Sequence, residues 1–273
     1  LRIAKVFDSN YHGLTEDLTK HYLRIMYKLM RQRLIFTIFV RVNTHIMTKV
    51  TYYGHACFLL ETGSSRLLFD PFISGNELAG HIDIDAIRAD YILLTHAHGD
   101  HIADAERIAK NNNSLIIANF EVYQHFSGLG IEGHPLNHGG KATFAFGTVK
   151  MVNAVHSSGF PDGRYGGNPA GFVVWTGDSC FYHAGDTALT MDMQLIPRTC
   201  PALDFCILPI GDNFTMGYED AVLAAEFVGC EKVIGCHYDT FGFIRIDHDA
   251  AKIAFASQGK SLILPVIGET LSI

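Results

Sequence analysis

The sequence predicts an α+β protein in which two mixed β-sheets pack face to face with helices on the outside. Three features carry that expectation. From Met47 onward, short runs rich in Val, Ile, Phe and Tyr recur between Gly, Asp and Asn, the composition and punctuation of strands. The early runs follow one another as hairpins do, whereas the later ones alternate with stretches of helical periodicity. No apolar run approaches the roughly 20 residues that a membrane-spanning helix needs; the longest, residues 34–40, is interrupted by Thr37.

In chain order, strands are expected at 48–53, 56–61, 66–70, 91–95, 115–119, 142–146, 148–155, 171–176, 179–183, 204–208, 232–236 and 261–265. Helices are expected at 102–112, 119–127, 187–196, 218–228 and 247–258. The helix at 218–228 places Ala221, Val222, Ala225 and Val228 on one face and Glu219 and Asp220 in its first turn, where negative charge suits the helix dipole. The break between the two halves is expected near residue 147, and the Gly- and Pro-rich stretch 157–169 reads as a long irregular loop. Residues 47–273 form one self-consistent domain. Residues 1–46 read as an N-terminal extension, either an appendage ahead of Met47, an ordinary helix, or a membrane-surface or partner helix with Leu23, Met26, Tyr27, Met30 and Leu34 at helical spacing.

Charge separates these two parts. Residues 1–46 carry eight Lys/Arg against three Asp/Glu, and residues 47–273 carry 13 against 25. So acidic a body argues against bulk nucleic-acid binding, which needs clustered Lys and Arg. Six cysteines occur with no CxxC pair, so free thiols in a reducing, cytoplasmic setting are expected rather than a disulfide framework or a cysteine zinc site. A homo-oligomer is compatible with the sequence, as is a small-molecule substrate.

The chain holds 15 histidines, and the densest group is Thr95-His96-Ala97-His98-Gly99-Asp100-His101, directly after the apolar run 91–94. Three imidazoles and a carboxylate this close cannot enter an apolar core without partners. They are ordinary ligands for zinc and similar ions. In an extended segment, residues two apart point the same way, so His96 and His98 can grip one ion. Asp100 and His101, at the helix start, can face a neighbouring point. His156, Asp186 and His237 end three later strands in the same manner. Strand ends converge along one edge, and the seven residues together read as a dinuclear metal site in the making.

His96, His98, Asp100 and His101 meet in full the HxHxDH signature of the metallo-β-lactamase superfamily, which residues 47–273 resemble. The chain is most similar to a bacterial family of metal-dependent hydrolases within it, through YYGHACFLLE (52–61), LLFDPF (67–72), LTHAHGDH (94–101), AVHSSG (154–159), GGNPAGFV (166–173), YHAGDTAL (182–189), LPIGDNFTMG (208–217) and CHYDTF (236–241). The resemblance implies a four-layer αββα sandwich with metals on one edge. It implies one ion on His96, His98 and His156, a second on Asp100, His101 and His237, and Asp186 bridging them with a hydroxide. Zinc is the expected metal, with manganese, nickel or iron as alternatives. The implied reaction is hydrolysis of an ester-type bond, whether phosphodiester, lactone or thioester. Asp100 is the expected catalytic carboxylate, orienting the nucleophile or carrying a proton. The resemblance extends loosely to ascorbate-phosphate lactonases and phospholipase-D-type enzymes. The same fold hosts di-iron oxidoreductases, an alternative with more carboxylate ligands, and a non-catalytic binding module is a third reading.

Four further residues are candidates around the site. Asp70 is expected to accept the second N–H of a ligating histidine, and His55 to approach the metals or substrate. Asn213 is expected to shape the pocket, and Arg164 to hold a phosphate or carboxylate. Arg164 and Tyr165 read as a lid, and the apolar stretch 241–246 reads as a pocket wall for a greasy group. His183 reads as structural.

Overall fold

The computed structural model describes residues 48–63 and 65–273; the expectations for residues 1–46 lie outside the described residues. The first sheet runs in the order β14-β1-β2-β3-β4-β5-β6, with β1(Lys49–Gly54), β2(Cys57–Thr62), β3(Ser65–Phe69), β4(Tyr91–Leu93), β5(Leu115–Asn119), β6(Gly133–Leu136) and β14(Thr270–Ser272). The second runs β13-β12-β11-β10-β9-β8-β7, with β7(Lys141–Phe144), β8(Gly147–Asn153), β9(Ala170–Thr176), β10(Cys180–His183), β11(Phe205–Pro209), β12(Lys232–Cys236) and β13(Ser261–Ile263).

Alternation along the strands builds the layers. Phe58 and Leu60 of β2, Leu67 and Phe69 of β3, and Phe205 and Ile207 of β11 share one central core between the sheets. The residues between them point the other way. Cys57, Leu59 and Leu68 pack beneath α1(Gly99–Ile102), α2(Ala105–Asn112) and α3(Phe120–Gly128). Cys206 and Leu208 join a third cluster with Ala221, Val222 and Ala225 of α5(Tyr218–Phe227) and Phe255 of α6(His248–Ser257). Strands apolar on both faces are what sheets covered on both sides require, and the outcome is the αββα sandwich.

Three expectations shift. The change of sheet falls at residues 137–140 rather than near 147, because β6 is a strand that composition hid: its sequence GHPL carries Gly and Pro, and it survives as an edge. The short β14 was likewise unforeseen, and it returns the C-terminal end of the chain to the first sheet beside β1. The helix expected at 102–112 begins at Gly99 and breaks at Asp104, whose carboxylate accepts the N–H groups of Ile73 and Ser74. The helix expected at 187–196 is instead a 3₁₀ turn over Met191–Leu195 followed by the short α4(Ile196–Thr199). Residues 187 and 188 are committed elsewhere: Val155 N–H donates to Thr187 Oγ1, and Ala188 N–H donates to Val155 O.

Strand direction decides where chemistry collects. β1 and β3 run the same way, being successive antiparallel neighbours of β2, and β4 is parallel to β3. In the second sheet β8 and β10 likewise share one direction, and β11 and β12 are parallel to β10. The candidate residues follow the C-terminal ends of these co-directed strands. His237 N–H donates to His55 O at 2.9 Å, joining the two sheets at this edge.

Candidate metal centre

Asp186 Oδ2 is the focus of the site. Four imidazole Nε2 atoms surround it: His237 at 3.0 Å, His101 at 3.3 Å, His156 at 3.5 Å and His96 at 3.9 Å. His96 Nε2 and His98 Nδ1 are 3.0 Å apart, and Asp100 Oδ2 lies 3.9 Å from His237 Nε2 and 4.0 Å from His101 Nε2. All seven residues expected from the sequence therefore meet in one place. Their ligand atoms fall into overlapping groups: His96 with His98 and His156; His96 with His101 and Asp186; and His101, Asp100 and His237 with His55.

Backbone geometry serves this convergence. Gly185 has φ +63, and a Cβ there would stand 2.7 Å from Ala170 O and 2.8 Å from Thr95 Cβ, so only glycine lets Asp186 turn inward. His183 holds that turn. Its ring stacks on Phe69 at 5.0 Å and its Nδ1 accepts the Gly185 N–H, which makes it structural. His55, Asp70 and His237 all have φ between +41 and +55. Each such non-glycine residue costs about 1–3 kcal/mol, strain that gathers at functional sites.

Asp70 is fully buried and fixes two imidazoles. It accepts the Thr95 N–H at 2.8 Å, the Thr95 hydroxyl at 2.6 Å and His101 Nδ1–H at 2.9 Å. Because the Thr95 hydroxyl donates to Asp70, its oxygen accepts from His96 Nδ1–H, 3.0 Å away. The Nε2 lone pairs of His96 and His101 are thereby turned toward Asp186. His55 is buried, and burial first, then His237, pushes its pKa down to about 4. It is neutral near pH 7, so Nε2–H donates to Asp100 Oδ2 at 3.1 Å while Nδ1 accepts from the Thr240 hydroxyl at 3.0 Å.

The electrostatics suit a cation. Burial would raise the Asp186 carboxyl, yet His101 and His237 hold it well below the usual range. Burial would lower His101, yet Asp186 and Asp70 raise it well above its ordinary value. His101 Nε2 and Asp186 Oδ1 are buried with no hydrogen-bond partner. Two buried lone-pair donors left without a hydrogen-bond partner, within one cluster, fit a ligand set made for metal.

The site opens into a cavity of about 260 Å³ lined by His98, Asp100, His156, Ser157, Asp186, Phe214, His237 and Phe241. Phe241 belongs to the apolar stretch expected as a pocket wall. Phe214, Ser157, Thr95 and Thr240 were not singled out from the sequence. Thr95 carries the only signal that pointed to it, its place beside His96 at the end of an apolar run. Two candidates lie elsewhere. Asn213 is exposed, in a turn with φ +56, and does not line the cavity. Arg164 is tied to Asp162 at 2.8 Å, stands 4.9 Å from the centre of the Phe160 ring, and lines a separate depression with Glu106 and His125. Tyr165 does not line the site cavity either, so the expected lid is not formed over it. Cys236, next to His237, is buried in the central core.

A sandwich of this topology, with a histidine–aspartate cluster along one edge, is the metallo-β-lactamase fold, and a family model for the β-lactamase superfamily domain matches residues 49–237. Among curated relatives, a UPF0173 metal-dependent hydrolase of Christiangramia forsetii is 55% identical over 226 residues, covering 82% of this chain and 100% of the relative. A relative of the same description from Bacillus subtilis is 43% identical over 230 residues, with 82% and 100% covered. The chain belongs to this family of metal-dependent hydrolases within the superfamily. Among solved structures, Igni18, described as a novel metallo hydrolase from Ignicoccus hospitalis, shares 32% identity at a TM-score of 0.75, covering 83% of this chain and 98% of that one.

Proposed function

We propose that this hydrolase is dinuclear, that its ions are zinc, and that it cleaves an ester-type bond, whether phosphodiester, lactone or thioester. Residues 47–273 carry the reaction. One ion would be held by His96, His98 and His156, the other by Asp100, His101 and His237, with Asp186 shared. The observation that carries this reading is Asp186 Oδ2, a buried carboxylate oxygen within 3.0–3.9 Å of imidazoles from both sets. When bound, two such ions supply a water acidified to a pKa of about 7 and positive charge that polarises the scissile group.

The chain's own residues do the rest. Asp70 and Thr95 set the tautomers that leave Nε2 free on His96 and His101. Asp100 borders the cavity, and the His55 N–H fixes one of its oxygens; the carboxylate is the group placed to orient a nucleophile or take up its proton. Unpaired cysteines, five of the six buried, support a reducing, cytoplasmic setting.

The test is metal analysis of the full chain joined to a panel of phosphodiester, lactone and thioester substrates. Close to two zinc ions per chain and turnover of one substrate class are expected. A coloured, redox-active iron centre, or tight stoichiometric binding of a single ion with full activity, would overturn the reading.

A further inference from the structure

Two phenylalanines share the cavity with the candidate ligands, and core packing does not account for either. Phe214 and Phe241 come from separate loops, one between β11 and α5 and one after β12, and are 50% and 36% exposed. Phe243, 79% exposed, meets Phe214 edge-on at a centroid distance of 6.3 Å. Exposed aromatics on ordered loops need a reason.

The loops are built to present these rings. Asp212 and Asn213, immediately before Phe214, are consecutive left-handed residues with φ +60 and +56. A bridge between Gly211 and Gly217 and a bond from Asp212 N–H to Met216 O close the turn beneath them. Phe241 is fixed from behind, edge-on to His55 at 5.3 Å and tilted against Phe72 at 6.3 Å. Asp and Asn adopt this turn readily, and it sets Phe214 beside the candidate ligands, opposite Phe241 from the other loop.

The charge of the lining narrows its chemistry. Among the described residues, no Lys or Arg lines the cavity. Arg164 is engaged elsewhere with Asp162, and Arg245 is exposed and outside the lining. A second anionic group on the substrate would find no counter-charge among the lining residues, whereas a hydrocarbon group would find two aromatic rings.

We propose that Phe214 and Phe241, with Phe243 at their outer edge, form a subsite for an apolar group, an unbranched alkyl chain or an aromatic ring, attached to the scissile bond. The inference rests on the metal-centre reading above, since the cations place the bond beside the rings. Acetate and hexanoate probe it, sharing a carboxylate for the ions and differing only in chain length. Their affinities for the zinc-loaded full chain are measured by calorimetry. Hexanoate is expected to bind at least tenfold more tightly than acetate. The double variant Phe214→Ser/Phe241→Ser should erase most of that ratio, and Phe214→Leu/Phe241→Leu should keep most of it; thermal melting checks that both fold. Equal affinities for the two acids in the wild type overturn the subsite and leave the metal centre standing. A chain that takes up no zinc and binds neither acid overturns both.

Discussion

The two ends of the metal centre are held by different means. At the His96–His98–His156 end, no carboxylate among the described residues touches the outer nitrogen of an imidazole. His96 leans on the Thr95 hydroxyl, and His98 Nε2 has only the exposed Ser157 hydroxyl at 3.3 Å. At the Asp100–His101–His237 end, His101 donates directly to the buried Asp70, and Asp100 is held by His55, itself held by Thr240. A carboxylate behind an imidazole raises its basicity and locks its orientation more firmly than a hydroxyl does. The Asp100–His101–His237 half is thus the more preorganised through Asp70 and His55, even though His237 Nδ1 is buried without a partner, and the His96–His98–His156 half is the more adaptable; residues of both halves line the cavity. On the two-ion reading, a chelator strips the ion at the His96–His98–His156 end first.

The largest effect should come from the residue that both ends share. Asp186→Ala removes the oxygen lying between the two sets, so both ions should be lost together and turnover should fall by about 10²- to 10³-fold, the scale of removing a preorganised electrostatic group. Metal content after gel filtration and turnover of the best substrate check this. Retention of one ion at wild-type affinity would break the comparison, because the ends would then be independent.

A smaller change should tilt the balance between the ends. In Asp70→Asn, the amide cannot accept simultaneously from the Thr95 N–H, the Thr95 hydroxyl and His101 Nδ1–H with all three bonds intact. His101 loses its charged partner outright, whereas His96 feels the change only through Thr95. Affinity at the His101 end should drop about 10- to 100-fold, the usual cost of losing such an outer partner. Competition against a chromophoric chelator should then show the two release steps drawing together. Unchanged spacing between them would mean that Asp70 serves both ends alike.

How much of this was legible in the sequence follows from where each residue's meaning resides. His96, His98, Asp100 and His101 announce themselves because their partners are one or two positions away. His156, Asp186 and His237 were readable because each follows an apolar run, and ends of co-directed strands must share an edge. Thr240, Ser157 and Phe214 were not, since a loop threonine, serine or phenylalanine acquires its role only when a residue far off in sequence arrives beside it; Thr240 and His55 are 185 positions apart. Arg164 misled for the opposite reason. Its charge suggested an anion site, yet Asp162, two residues earlier, was the local signal that the charge was already met. Asp212-Asn213 similarly reads as turn chemistry, and the turn is what it forms. In the fold, β6 was missed because Gly133 and Pro135 break its apolar pattern, and β14 because three residues are too few to show one.

The finest distinction between the ends lies in two hydroxyls. Thr240→Val leaves the buried His55 Nδ1 without a donor while keeping the side chain's shape, and Ser157→Ala removes a long, solvent-facing contact to His98. A hydrogen bond of this kind contributes a net of about 0.5–1.5 kcal/mol, or roughly two- to tenfold. Thr240→Val should sit in the upper part of that range, because nothing in the buried pocket replaces the donor and the fault passes through His55 to Asp100. It should lower kcat more than it raises KM, since on the proposed reading Asp100 would act on the reacting atoms rather than on the substrate's distal group. Ser157→Ala should stay within about twofold, because water reaches His98 once the hydroxyl is gone. Steady-state kinetics on the two single variants and the double variant settle the order: equal small effects would show that the more preorganised end owes its rigidity to Asp70 alone, and a larger loss from Ser157→Ala would reverse the assignment of which end is adaptable.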